Sequence, residues 1–350
     1  MKAFYLLHAF LLTLILVSCE KEIPYRIDDQ APQLIMNAML ETDRPENLVY
    51  LNLSHTHYTT PVTEGTVTLY INGKQAETAQ VALLENTNNN GLPQTVAQCR
   101  LSSQFSPGDV LRLEAVAENG KYRAWAEVTV PYPLKEIQVD TCLTTIKSQG
   151  SYSPHRRFDI SLHDPAGQPN YYRLSIQYDN TVTGTNFAGQ DSTAYIHTEA
   201  SLINREDVIL TDGRPTSTDQ EDSDNGDMFG NYIDNRYNVF SDSRFQGTGC
   251  TLKVYSYLYE RYIPYDFRGK ATLSSTIKVR LLSLTETGYR YLRILNTLED
   301  DDYDETLMEP AVVPSNVKGG LGLVDACSAT ITYIKLPDKE IDYDEIIFSH

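Results

Sequence analysis

Apolar and polar residues alternate with period two along much of the chain. Leu34, Met36, Ala38 and Leu40 share one face, as do Val49, Leu51 and Leu53, and then Val67, Leu69 and Ile71. This alternation predicts half-buried strands of an antiparallel sheet. Asn72-Gly73 and Asn119-Gly120 are hairpin signals, because a type I′ turn needs positive φ at both central residues. Ser106-Pro107-Gly108-Asp109 is a further turn, followed by Leu111, Leu113, Ala115 and Ala117 on one face. The chain returns through Tyr122, Ala124, Ala126, Val128 and Val130. About seven short strands over residues 32–131 predict an immunoglobulin-like or fibronectin-like β-sandwich. Pro131-Tyr132-Pro133 ends the last of them, since proline removes a ladder donor, and sets the domain boundary.

A larger β-rich domain is expected over residues 134–336. Ile137 and Val139, then Phe158, Ile160 and Leu162, then Tyr172, Leu174, Ile176 and Tyr178 mark its strands, and Tyr255, Tyr257 and Tyr259 alternate within another. One amphipathic helix interrupts the pattern. Ser283 and Glu286 form a capping box, and Leu284, Tyr291, Leu292, Leu295 and Leu298 recur at helical spacing, so residues 284–298 are predicted to be a helix packed on the sheet. Asp212–Met228 is polar and aperiodic and reads as a long loop. Residues 337–350 read as an acidic C-terminal tail. The fold class is therefore mostly β: a sandwich followed by a β-rich domain with one helix.

The N-terminus carries an address. Lys2 precedes an apolar stretch from Ala3 to Val17, too short to span a bilayer and suited to a signal-peptide core. Leu16-Val17-Ser18-Cys19 resembles the bacterial lipobox, in which the cysteine is acylated and becomes the mature N-terminus. This predicts a signal peptide over residues 1–18, lipidation at Cys19 and a tether over 19–31.

Charge removes one class of partner. The 29 Lys and Arg against 47 Asp and Glu leave a formal charge of −18, which opposes displacement of phosphate counterions and so nucleic-acid binding. Tyrosine is abundant, at 24 residues, and fits both half-buried strands and binding surfaces.

The order of several motifs is similar to a family of Bacteroidetes lipoproteins known as domain of unknown function 4249. The likeness runs through the lipobox, Gln33-Leu34-Ile35-Met36-Asn37-Ala38, Phe240-Ser241-Asp242-Ser243-Arg244-Phe245-Gln246-Gly247, Ile277 to Glu286 with Tyr289, Tyr291 and Leu292, and Pro314-Ser315-Asn316-Val317-Lys318-Gly319-Gly320-Leu321-Gly322. The resemblance implies an envelope lipoprotein with an Ig-like first domain, encoded near TonB-dependent outer-membrane receptors, and no assigned activity. Glu20-Lys21-Glu22 resembles the surface-export signals of such lipoproteins, so the expected location is the outer membrane, at the cell surface or on the periplasmic face.

Reactive constellations are sparse. There is no Gly-x-Ser-x-Gly elbow, His-Glu-x-x-His helix or P-loop in the sequence. Gly319–Gly322 lacks the third glycine of a dinucleotide loop and reads as a tight turn or close backbone approach. His55 and His57 share a strand face without an identifiable third ligand. Asp219, Glu221, Asp222, Asp224 and Asp227 invite calcium but do not follow the EF-hand order, and Glu299–Asp304 is a second acidic run. No metal or cofactor is expected. Four cysteines follow Cys19. Cys99 alternates with Ala97 and Leu101 and should be buried and free, which leaves Cys142, Cys250 and Cys327 as candidate members of at most one disulfide. Asp191-Ser192-Thr193 resembles a short bacterial O-glycosylation signal. The expected function is non-enzymatic: a binding or accessory lipoprotein serving an uptake receptor for a glycan or peptide, or alternatively an adhesin or assembly subunit.

Overall fold

The computed structural model describes residues 31–56, 58–87, 93–148, 151–213, 234–259, 264, 266–299 and 312–344. It is mostly β, with one α-helix among the described residues. The first part comprises β1 (Leu34–Glu41), β2 (Asn47–Ser54), β3 (Thr59–Pro61), β4 (Gly65–Ile71), β5 (Lys74–Gln80), β6 (Ala82–Thr87), β7 (Pro93–Leu101), β8 (Val110–Ala117) and β9 (Tyr122–Thr129). One sheet holds β1, β2, β7 and β6 with β3 attached to β2, and the facing sheet runs β5-β4-β8-β9. Their inner faces meet through Met36, Leu40, Leu51, Val67, Leu69, Leu111 and Leu113, all fully buried. The alternation along β1 and β8 puts every second residue into this core. Strands β5 and β6 carry almost no buried residues, which is why the period-two pattern does not mark them.

The second part comprises β10 (Ile137–Ser148), β11 (Ser151–His163), β12 (Tyr171–Asn186), β13 (Asp191–Glu199), β14 (Leu202–Ile203), β15 (Val239–Ser241), β16 (Gly249–Tyr257), β17 (Phe267–Leu284), α1 (Glu286–Leu298), β18 (Val324–Lys335) and β19 (Lys339–Asp342). Strands β10-β11-β16-β14 form one sheet. It packs on the inner face of β12 and β17, around Phe158, Ile160, Tyr172, Ile176, Tyr178, Val254 and Val279.

The two parts share a sheet. Among the described residues an 11-stranded sheet runs β13-β12-β17-β18-β1-β2-β7-β6, with β3, β15 and β19 attached to it. The link is β18, antiparallel to β17 and parallel to β1, with Ala38 opposite Val324 and Glu41 opposite Cys327. One face of β18 sends Val324 and Ala326 into the core of the first sandwich. Further along that face, Ser328 Oγ donates to the Pro131 carbonyl at 2.6 Å, and Thr330 Oγ1 to the Leu134 carbonyl at 2.7 Å. These hydroxyls satisfy carbonyls of the connection between the two sandwiches.

The segment before β18 closes the first sandwich. Lys318 and Trp125 of β9 exchange backbone hydrogen bonds, and Leu321 donates to Leu34 while accepting from Met36 of β1. Gly320 is needed for this approach: a Cβ there would stand 2.2 Å from the Leu34 carbonyl oxygen. The Trp125 ring is held between Arg112 and Lys318, whose charged groups lie 4.3 and 4.4 Å from its centroid. The glycine cluster is therefore a close backbone approach.

Two local expectations need correction. The helix does not start at Ser283. That residue pairs with Tyr172 and Ser328 inside β17 and is buried, so the sheet claims it. Thr285 is the N-cap, its Oγ1 accepting from the Gly288 N–H at 3.1 Å. The supposed C-terminal tail also begins with structure. Strand β19 pairs with Lys270–Leu273 of β17, and Tyr343 is buried against Phe267, Ala271 and Leu273. Apolar residues at 341 and 343 outweigh the acidic character of that segment.

Candidate functional site

Helix α1 covers only part of the outer face of the long sheet. Tyr289 and Leu292 pack there on Leu282, Leu284 and Cys327. Beyond the helix the same face is polar, and register places its side chains in rows across β13, β12, β17 and β18. One row is His197, Asp179, Thr276 and Lys335; the next is Glu199, Gln177, Lys278 and Tyr333. His197 Nδ1 lies 2.5 Å from Asp179 Oδ1. Tyr195 and Tyr333 stand at opposite corners of this face, 81% and 63% exposed. Carboxylate, imidazole and ammonium groups between two open aromatic rings can hydrogen-bond and stack on a polar ligand, with Gln177 buried beneath them. This is the candidate binding surface.

A buried ion cluster underlies one edge of it. Arg280 of β17 is bidentate to Asp43, at 2.7 and 3.1 Å, and also contacts Glu41. Lys278 lies 3.5 Å from Asp43. Burial pushes the Asp43 carboxyl up, but the hydrogen bonds and charge of Arg280, with Lys278, hold it below its ordinary value. The cluster orders the chain just after β1 and fixes the edge of the polar face.

Other buried carboxylates are tied to the fold itself. Asp164 is fully buried and accepts from the Tyr172 hydroxyl at 2.5 Å and the Gly247 N–H at 3.0 Å. Asp242, within the Phe240–Gly247 segment, accepts from the Asn170 N–H at 2.9 Å. Burial and then the nearby Asp164 carboxylate push Asp242 up, partly offset by Asn170. Asp207 accepts the backbone N–H groups of Ile209, Leu210 and Lys253 at 2.9, 2.8 and 2.6 Å. Such carboxylates stitch loops to strands.

The chain matches the family model described as domain of unknown function (DUF4249) over residues 20–332. The chain belongs to this family. The motifs that resembled DUF4249 now have places. Asp242 and Gly247 engage Asn170 and Asp164, and Lys318–Leu321 closes the first sandwich. No curated protein matches the chain.

The structure does not bring the candidate disulfide members together. Cys142, Cys250 and Cys327 are free, as is the buried Cys99. Cys142 pairs with Arg157 on the outer face of its sheet, Cys250 borders the second core, and Cys327 lies under α1. Burial pushes the Cys99 thiol up to about 11 and, with Asp207 and Asp164 nearby, Cys250 up to about 12, so neither is a ready thiolate. His55 bonds the Thr60 hydroxyl at 3.1 Å and stacks on Tyr58. Cys19, His57, residues 214–228 of the expected loop, and the acidic run from residue 300 onward lie outside the described residues. Among the described residues no group of three or more His, Cys, Asp or Glu is arranged to hold a metal ion.

Sequence reasoning missed the Asp179–His197 pair and the Arg280 cluster. The first had a usable signal: a hairpin turn around Gly189 sets the register that makes residues 179 and 197 partners. The second had none, because its members are separated by more than 230 residues.

Proposed function

We propose that this protein is a non-enzymatic, lipid-anchored envelope component that works with a TonB-dependent outer-membrane receptor in the uptake of a glycan or peptide. The observation that carries the reading is Leu16-Val17-Ser18-Cys19 at the end of a short apolar leader. The family match begins at residue 20, immediately after Cys19, which supports a mature chain starting at that cysteine. The polar face with Tyr195 and Tyr333 at its corners supports a binding role, and the buried carboxylates are engaged in holding loops. Cys19→Ser should move the protein from the membrane fraction to the soluble fraction, while a detergent pull-down of the wild type should bring down the receptor. A mutant that still floats with membranes overturns the anchor, and a pull-down without a receptor overturns the partnership.

One observation favours the structural alternative, an adhesin or assembly subunit. Strand β6 is an exposed sheet edge carrying Leu83 and Leu84, without the lysine or proline that commonly guards such edges. An edge of this kind can add a strand from a partner. Laddered polymers that vanish on Leu84→Lys would favour this reading.

A further inference from the structure

The carboxyl of Asp325 on β18 lies beneath the first turn of α1, 1% exposed. Its Oδ1 accepts the Thr285 hydroxyl at 2.5 Å, and Thr285 in turn caps the helix. Its Oδ2 is buried with no hydrogen-bond partner. Gly288 is pressed directly onto it: a Cβ at that position would stand 1.8 Å from Oδ2. Met39 is its register neighbour on β1, Cys327 follows on the same strand face, and Tyr289 and Leu292 continue the helix side. Glu286, at the helix start, pairs instead with Arg290 at 2.5 Å. A charge cluster lies past Cys327, where Arg280 is engaged by Glu41 and Asp43. Asp325 thus meets the helix with one satisfied oxygen and no paired cation among the described residues.

The same helix holds two distant pieces of chain. Arg293 Nη1 lies 2.5 Å from Asp212 Oδ2. Asn296 Nδ2 donates to Asn235 Oδ1 at 2.9 Å, and Asn296 Oδ1 accepts from the Tyr237 N–H at 3.1 Å. Anything that loosens α1 loosens both attachments.

We propose that ionisation of Asp325 is a release built into the fold: the neutral carboxyl latches α1 to the sheet, and the charged one frees the helix together with Asp212, Asn235 and Tyr237. An isolated carboxylate without a cation resists burial far more strongly than the neutral acid does. Burial pushes Asp325 up to about 7, against the opposing effects of the Thr285 hydroxyl and the Ala326 N–H. Because its value is raised in the docked state, docking is strongest at acid pH, is lost as pH rises from the ordinary carboxylate range to about 7, and stays level above that.

Hydrogen exchange of the full chain between pH 5 and 8, corrected for the intrinsic rate, tests this. In the wild type, opening of α1 should rise about tenfold per pH unit up to about 7 and then level off, with peptides around Asp212 and Tyr237 following. Asp325→Asn should flatten the rise. Thr285→Val, which removes a hydroxyl that favours the charged form, should move the plateau to higher pH. A flat wild-type profile, an unchanged slope in Asp325→Asn, or an unmoved plateau in Thr285→Val each overturns the proposal.

Discussion

Arg280 lies against Glu41, 239 positions earlier in the chain, and the contact is almost completely closed to solvent. It joins β17 to the end of β1 beside the shared strand β18. Removing one partner of a buried pair leaves the other charge uncompensated, a loss of about 3–5 kcal/mol. Arg280→Ala should therefore unfold at markedly lower urea concentration than the wild type. Arg44→Ala, at a half-exposed partner of Glu41, should change stability by under about 1 kcal/mol. Equal effects of the two substitutions in urea melts would contradict this account.

Acid should act on the same cluster. The Asp43 carboxyl is held below its ordinary value in the folded state, so its contribution is present above the unfolded carboxylate value and is lost as pH falls through the folded one. Stability measured by thermal melts should fall below about pH 4 more steeply in the wild type than in an Asp43→Asn variant. Asp325 slopes the opposite way, so the two carboxyls are distinguishable in one titration.

Leu292 is buried between α1 and the sheet. Leu292→Ala should leave a cavity and cost about 2–5 kcal/mol. Thr285→Ala should cost about 0.5–2 kcal/mol through the lost cap. Denaturant melts check the ranking. An unchanged Leu292→Ala protein that no longer retains its partner in a pull-down would mean that the apolar stripe is a docking surface.

Residues 32–131 look like a self-sufficient sandwich in sequence, yet their core includes Val317, Val324 and Ala326. Without β18 the edge of β1 is unpaired and part of its apolar face is open. An excised 32–131 fragment should lack a cooperative melt. Adding residues 312–336 in trans should restore one, and a sharp transition from the fragment alone would show that the closing strand is dispensable.

Much of the fold was legible where burial is one-sided. Leu34, Met36, Ala38 and Leu40 announce β1, and Leu111, Leu113, Ala115 and Ala117 announce β8, because alternate residues meet water. The parallel union of β1 with β18 was not legible. It joins strands almost 290 residues apart, and Val324–Ser328 is buried on both faces, leaving no alternation to read. The helix was visible from its leucines, but its start was not, since Ser283 satisfies a capping rule that pairing with Tyr172 and Ser328 overrides. The polar face is invisible in a single strand and emerges only when register lines up four of them.

The chain has one tryptophan, and the fold sets it between Arg112 and Lys318 where the closing segment arrives. Trp125 is consequently an intrinsic optical probe of this junction. Its emission should change when residue 318 seats, late in synthesis and after most of the polypeptide exists. Stopped-flow fluorescence during refolding would then time the closure of the first sandwich against the assembly of the second, with no label introduced.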